Sequence, residues 1–204
     1  MLPLSYALRN LFRDKSRLVQ TVGGSALVVL LVIAAAALNG GMTQVLSASG
    51  SEKNVILLGA GSEESIQRSE VSAQLGGIAE AGIRGVSQTL GRPAASPEIH
   101  YMSFLRDADG RKGQGLFRGV TPRSLLVHPE VRLLEGRFPQ SGEVMVGRLA
   151  WRKLGIPEGM LKPGAKVEIE GSTMNVSGIF AAPGTVMESE VWAVLGDLHM
   201  LAQR

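Results

Sequence analysis

The chain contains no cysteine and few aromatic residues: two Trp, two Tyr and five Phe in 204 positions. Without cysteine no disulfide can form, so any part lying outside the cytoplasm is held by burial and hydrogen bonding alone. A small disulfide-framed ectodomain is excluded, whereas a bacterial envelope protein is not. The scarcity of aromatic rings leaves little on which bases could stack. With no basic run beyond the first residues, this removes nucleic acid from the candidate partners despite a pI near 9.5.

Charge is missing from one long stretch. Between Leu18 and Ser51 there is no Asp, Glu, Lys or Arg. From Leu18 to Leu38 the text LVQTVGGSALVVLLVIAAAAL is mostly Leu, Val, Ile and Ala, and about 20 such residues in a helix cross a hydrocarbon core of roughly 30 Å. The run therefore predicts one membrane-spanning helix over residues 18–46. A cleaved secretory signal is the rival, with LSASG at 46–50 offering small residues to a peptidase. Its apolar region is typically only about 7–15 residues, shorter than this run.

The charge that is present is placed asymmetrically. Arg9, Arg13, Lys15 and Arg17 precede the run and only Asp14 opposes them, which accounts for the whole formal net charge of +3. The other 17 basic and 17 acidic residues cancel. Basic residues beside a span are retained on the cytoplasmic face, so the N-terminus is predicted to be cytoplasmic and residues after about 47 extracytoplasmic. In the leader, Leu4, Ala7, Leu8, Leu11 and Phe12 fall on one helical stripe. Residues 1–17 thus read as an amphipathic basic helix suited to the membrane interface, or as a topology signal only.

Residues 47–204 are long enough for one compact domain or two small lobes. A strand is predicted at 54–58 (NVILL), then a helix through Val71, Leu75, Ile78 and Ala79 ending at Gly82 or Gly85. HYMSFL and GLFRGV form a hairpin around DADGRKG. A strand at 143–146, a helix at 147–154 and a turn at Pro163-Gly164 follow. KVEIEGSTMNVSGIF reads as a second hairpin turning at Gly171-Ser172, with Ile169 opposite Met174, Val167 opposite Val176 and Glu168 opposite Asn175. A strand at 191–195 and a helix beginning near Asp197 end the chain. The fold class is α+β: one N-terminal transmembrane helix followed by a mixed domain of short strands, hairpins and helices.

Motifs that invite catalysis fail on inspection. VILLGAGSEES has Glu64 at the third glycine position of GxGxxG, and Glu63 and Glu64 would repel a pyrophosphate. Asp107-Ala108-Asp109-Gly110 hints at a calcium loop, yet its twelfth position is Arg118 instead of a bidentate Glu. His100, His128 and His199 are scattered without metal-ligand spacing. No GxSxG elbow occurs, and Asn175-Val176-Ser177 is a glycosylation sequon inside a predicted hairpin. No catalytic, cofactor-binding or metal residue is assigned, which counts against an anchored hydrolase. Which of Met102, Phe104, Phe117 and Phe138 face outward is left open.

YALRNLFRDKSRLVQTVGGSALVVLLVIAAAALNGGM resembles the opening of FtsX/MacB-type ABC transporter permeases, where a cytoplasmic amphipathic helix runs into the first membrane helix. SPEI, Gly119-Val120, EGRFPQSGEVMVGRLAWRKLGI, KPGAKVEIEG, VSGIF and SEVWAVLGDL are similar, in order, to the MacB-like periplasmic core domain of that family. The resemblance implies a noncatalytic permease subunit in the bacterial cytoplasmic membrane, with Arg9, Arg13 and Arg17 facing acid or lipid. Its implied partners are a cytoplasmic ABC-type ATPase, a second permease half or separately encoded membrane helices, and a periplasmic adaptor. The chain has no P-loop of its own. Such permeases carry three further membrane helices beyond the core domain, so the chain is expected to be an N-terminal part. Gly23, Gly24, Ser25 and Ala34 to Ala37 offer small surfaces for another helix. The alternative is a standalone membrane-anchored binding or adaptor domain without transport activity.

Overall fold

The computed structural model describes residues 15–48, 50–51, 53–62, 69–72, 74–89 and 91–202. The leader helix predicted for 1–17 lies almost wholly outside them, as do Glu63 and Glu64. The chain divides into two units, 1–47 and 48–204.

The described residues of the first unit form one helix, α1 (Lys15–Ala48). Its 33 residues Lys15–Ser47 are long and apolar enough to cross a membrane. Both of its threonine hydroxyls are satisfied within the helix: Thr21 Oγ1 donates to the Arg17 carbonyl at 2.9 Å and Thr43 Oγ1 to the Asn39 carbonyl at 3.0 Å. Such back-bonding is what a hydroxyl needs where water is absent.

The second unit opens with α2 (Leu75–Gly82), which buries none of its residues, and a small ladder of β1 (Gln88–Thr89) and β2 (Arg92–Pro93). The main sheet contains β3 (Ile99–Arg106), β4 (Lys112–Val120), β5 (Arg132–Gly136), β6 (Glu143–Gly147), β7 (Lys166–Ile169), β8 (Ser172–Ala181) and β9 (Val191–Val194). Helices α3 (Ser124–Val127), α4 (Ala150–Leu154) and α5 (Leu195–Ala202) connect or close it. Strand order is β5-β8-β6-β9-β4-β3-β7, and β7 also pairs with β8. Six strands therefore form a closed ring, with β5 attached to β8. Closure rests on the split use of β8, whose residues 172–175 pair with β7 and 178–181 with β5. Among the described residues only the β4–β9 and β6–β8 pairs are parallel.

Alternation along the strands builds two apolar clusters. Val144 and Val146 of β6, Val191 and Ala193 of β9, and Phe117 of β4 join Leu154 and Leu198 in the first. Met145, Trp192 and Val120 join Phe180 and Met187 in the second. On β8, Met174 and Val176 belong to the first cluster and Phe180 to the second, although all three positions are even. The register shift opposite Val144 and Met145 explains this, because one extra residue reverses which face a strand presents. Gly113 of β4 packs against the end of α4, where a methyl group would collide with the Leu154 carbonyl.

Several expectations are corrected. NVILL is not a strand: residues 54–58 have no ladder partner among the described residues, and Val55 and Ile56 are 83% and 71% exposed. Strand propensity without a paired edge does not make a strand. The helix expected from Val71 begins at Leu75, that expected from Gly147 begins at Ala150, and the last begins at Leu195 instead of near Asp197. The strand expected at 191–195 stops at Val194. The β7–β8 hairpin turns at Glu170-Gly171, so Val167 faces Met174 and Ile169 faces Ser172. Both turn residues have positive φ, 49° and 77°, as a two-residue I′ turn requires. The two-residue change in pairing sum preserves the faces, which is why the apolar pattern concealed it.

Candidate functional site

Neighbouring strands β9, β4 and β3 each aim a polar residue to one side of the sheet. Arg118 on β4 is in register with Trp192 on β9 and with His100 on β3. Two residues before those neighbours, and on the same face, lie Glu190 and Glu98. The buried Arg118 guanidinium donates from Nε to Glu190 Oε2 at 2.7 Å, from Nη2 to Glu190 Oε1 at 2.8 Å and from Nη1 to Glu98 Oε2 at 2.7 Å. Trp192 Nε1 also donates to Glu190 Oε2 at 2.9 Å. His128, at the C-terminal cap of α3, brings Nε2 to 3.0 Å from the other Glu98 oxygen.

This is a bidentate guanidinium–carboxylate pair extended by a second acid and an imidazole. Its electrostatics are mutual. Burial pushes the Glu98 carboxyl up, but the His128 hydrogen bond and charge, then Arg118, outweigh it and bring it down to about 2. Burial lowers Arg118, and the two glutamates more than reverse that. His100 is held below its ordinary value, first by partial desolvation and then by the Arg118 charge. Donors and acceptors of the cluster satisfy one another, so its chemistry is to fix strands and loops.

The other residues singled out in the sequence are dispersed. Asp107 does not present a cation loop: Oδ1 accepts the amides of Asp109 and Arg111 at 3.0 and 2.8 Å, and Arg111 pairs with both aspartates. Arginine thus occupies the charge role that a metal would have. Among the described residues no group of three or more His, Cys, Asp or Glu could hold a metal ion. His199 lies on α5, while His100 and His128 meet at the Arg118 cluster. Asn175 is in the β7–β8 ladder, opposite Lys166. Phe117 is fully buried and Phe138 packs on the second cluster, whereas Met102 and Phe104 are 54% and 42% exposed.

Two surface features accompany the cluster. A shallow pocket of about 190 Å³ is lined by Phe104, Arg106, Lys112, Glu168, Glu170 and Gly171, with Lys112 Nζ 4.1 Å above the Phe104 ring. An apolar dimple of about 30 Å³ lies among Leu125, Val131, Leu133, Phe138, Met145 and Phe180. Sequence reasoning did not find the Arg118 cluster. Its only local trace is the i, i+2 spacing of Glu98 with His100 and Glu190 with Trp192.

Helix and sheet together define a class: a mixed α/β domain of periplasmic type joined to a helix long and apolar enough to cross a membrane. The chain belongs to the family of the MacB-like periplasmic core domain, whose model matches residues 19–201. It is similar in fold to the periplasmic region of MacB from Actinobacillus actinomycetemcomitans, with a TM-score of 0.51 and 12% identity over 69% of this chain and 62% of that one. The extracellular domain of YknZ, a noncanonic ABC-type transporter from Gram-positive bacteria, matches with a TM-score of 0.48 and 13% identity over 62% of this chain and 64% of that one. The chain thus spans under two thirds of the solved domains that it resembles. No curated protein matches it.

Proposed function

We propose that this chain is the N-terminal part of an ABC transporter permease subunit, which couples a cytoplasmic ATPase to an extracytoplasmic domain during export or transport of envelope components. The observation that carries the reading is the family match from residue 19 to residue 201, which begins inside α1 and ends in α5. Residues 1–17 form the cytoplasmic leader, 18–46 the span and 47–204 the extracytoplasmic domain, in a bacterial cytoplasmic membrane with the N-terminus inside. The basic leader and charge-balanced remainder support that direction. The chain performs no catalysis; ATP hydrolysis belongs to an ABC-type partner, and further membrane helices complete the pathway.

Copurification tests this reading. The tagged full chain, extracted from its own membrane, is expected to recover an ABC-type ATPase and a multi-span membrane protein. Recovery of neither overturns the transport reading and leaves a membrane-anchored binding or adaptor domain. Orientation is tested separately, since the chain has no native cysteine. In intact cells a membrane-impermeant maleimide should label Ala108→Cys, at the exposed β3–β4 tip, and spare Ser5→Cys.

A further inference from the structure

The short segment from α3 to Glu130 is held by an imidazole placed between two carboxylates. His128 Nε2 is 3.0 Å from Glu98 Oε1, and Nδ1 is 3.6 Å from Glu130 Oε1. A neutral imidazole can keep at most an ordinary hydrogen bond to Glu98, whereas an imidazolium makes that bond charge-assisted, about twice as strong, and places a positive charge beside Glu130. We propose that His128 is a proton-operated latch, closed as the imidazolium and loosened when neutral, that fastens the 124–130 segment to the sheet.

Every charged group around the ring bears on this. Arg118 from β4 uses both oxygens of Glu190 and one of Glu98, which leaves Glu98 Oε1 for His128. Arg118, Glu98 and Glu190 together carry one positive and two negative charges, so a proton on His128 balances the buried group, with Glu130 adding attraction from the surface side. His100 from β3 is the other titratable neighbour, and Trp192 from β9 meets the imidazole edge-on with ring centroids 6.0 Å apart.

The latch sits where the early part of the domain is fastened. Asn54 Nδ2 donates to the Val127 carbonyl at 3.0 Å, and Arg123 at the start of α3 pairs with Glu80 of α2 at 2.5 Å. Helix α2 buries no residue. Loosening residues 124–130 therefore weakens the hold on residue 54 and on α2 as well. The inference needs no ATPase or cargo and stands apart from the transport reading.

Hydrogen exchange on the full chain in lipid nanodiscs tests it, by comparing about pH 5.5 with about pH 8. After correction for the chemical exchange rate, amides of residues 124–131 should lose about fivefold protection at the higher pH. His128→Gln should exchange like the high-pH wild type at both values, and His100→Gln should keep the pH dependence. A wild type indifferent to pH, a dependence that survives in His128→Gln, or one that disappears in His100→Gln overturns the latch. Where His128→Gln does not fold, ¹⁵N shifts of the wild-type imidazoles decide. Loss of the His128 proton must share its midpoint with the loss of protection, and separate midpoints overturn the proposal.

Discussion

At the residue scale, Arg118 is the charge on which three strands converge. Replacing it leaves Glu190, which is 1% exposed, with Trp192 Nε1 as its remaining hydrogen-bond donor in the cluster. Arg118→Met is expected to cost about 3–5 kcal/mol, the usual penalty for stranding a buried charge. Denaturant unfolding in detergent micelles, followed by Trp fluorescence, checks this. Arg118→Lys should recover only part, because an ammonium cannot reproduce the two-pronged contact. Glu98 gives a pH dependence with a definite sign. Its folded value of about 2 lies below the ordinary 4.5, so its stabilisation is complete above about 4.5 and is lost as pH falls toward 2. Thermal unfolding across that acid range should flatten in Glu98→Gln; a wild-type slope retained in the variant counts against the assignment.

Elements in this domain depend on close contact as much as on propensity. At Gly113 the end of α4 lies directly on β4, and Gly113→Ala should cost about 1–3 kcal/mol through overpacking. An unchanged denaturation midpoint would refute that contact. What the sequence disclosed at this scale has a pattern. The β3–β4 hairpin was legible because two apolar-rich runs flank a Gly-containing tip, and the strand expected at 143–146 because a short apolar run there is bounded by Gly-containing turns. NVILL has the same local signature, but a strand is completed only by a partner edge, and none is supplied among the described residues. The β7–β8 turn was misplaced because turns at 170–171 and 171–172 are both locally acceptable. Contacts elsewhere choose between them, including the hydrogen bond from Ser103 Oγ to Glu170. The strand at 132–136 escaped notice because all five of its residues are exposed, which erases the alternation on which strand reading relies.

At the scale of the whole molecule, membrane insertion is the property most directly exposed to test. Ala35→Arg places a charge in the middle of the uncharged run and should cost about 2.5–3.5 kcal/mol of insertion free energy. Carbonate extraction should then release a fraction of the chain that remains membrane-bound in the wild type. Full retention of the variant would mean that the span is held by something other than its own hydrophobicity. The sequence by itself determined a helix long and apolar enough to cross a membrane, since apolar length is an additive quantity that needs no folded partner; flanking charge is additive too, and it supports the direction proposed above. The sequence also determined the family, because short motifs in a fixed order survive as text. Only the tertiary structure decided the closed ring, the parity change on β8 and the union of Glu98, Arg118, His128 and Glu190. Those depend on which distant strands pair and in which register, and the free energy that selects a register is shared across the sheet instead of being written at any one position.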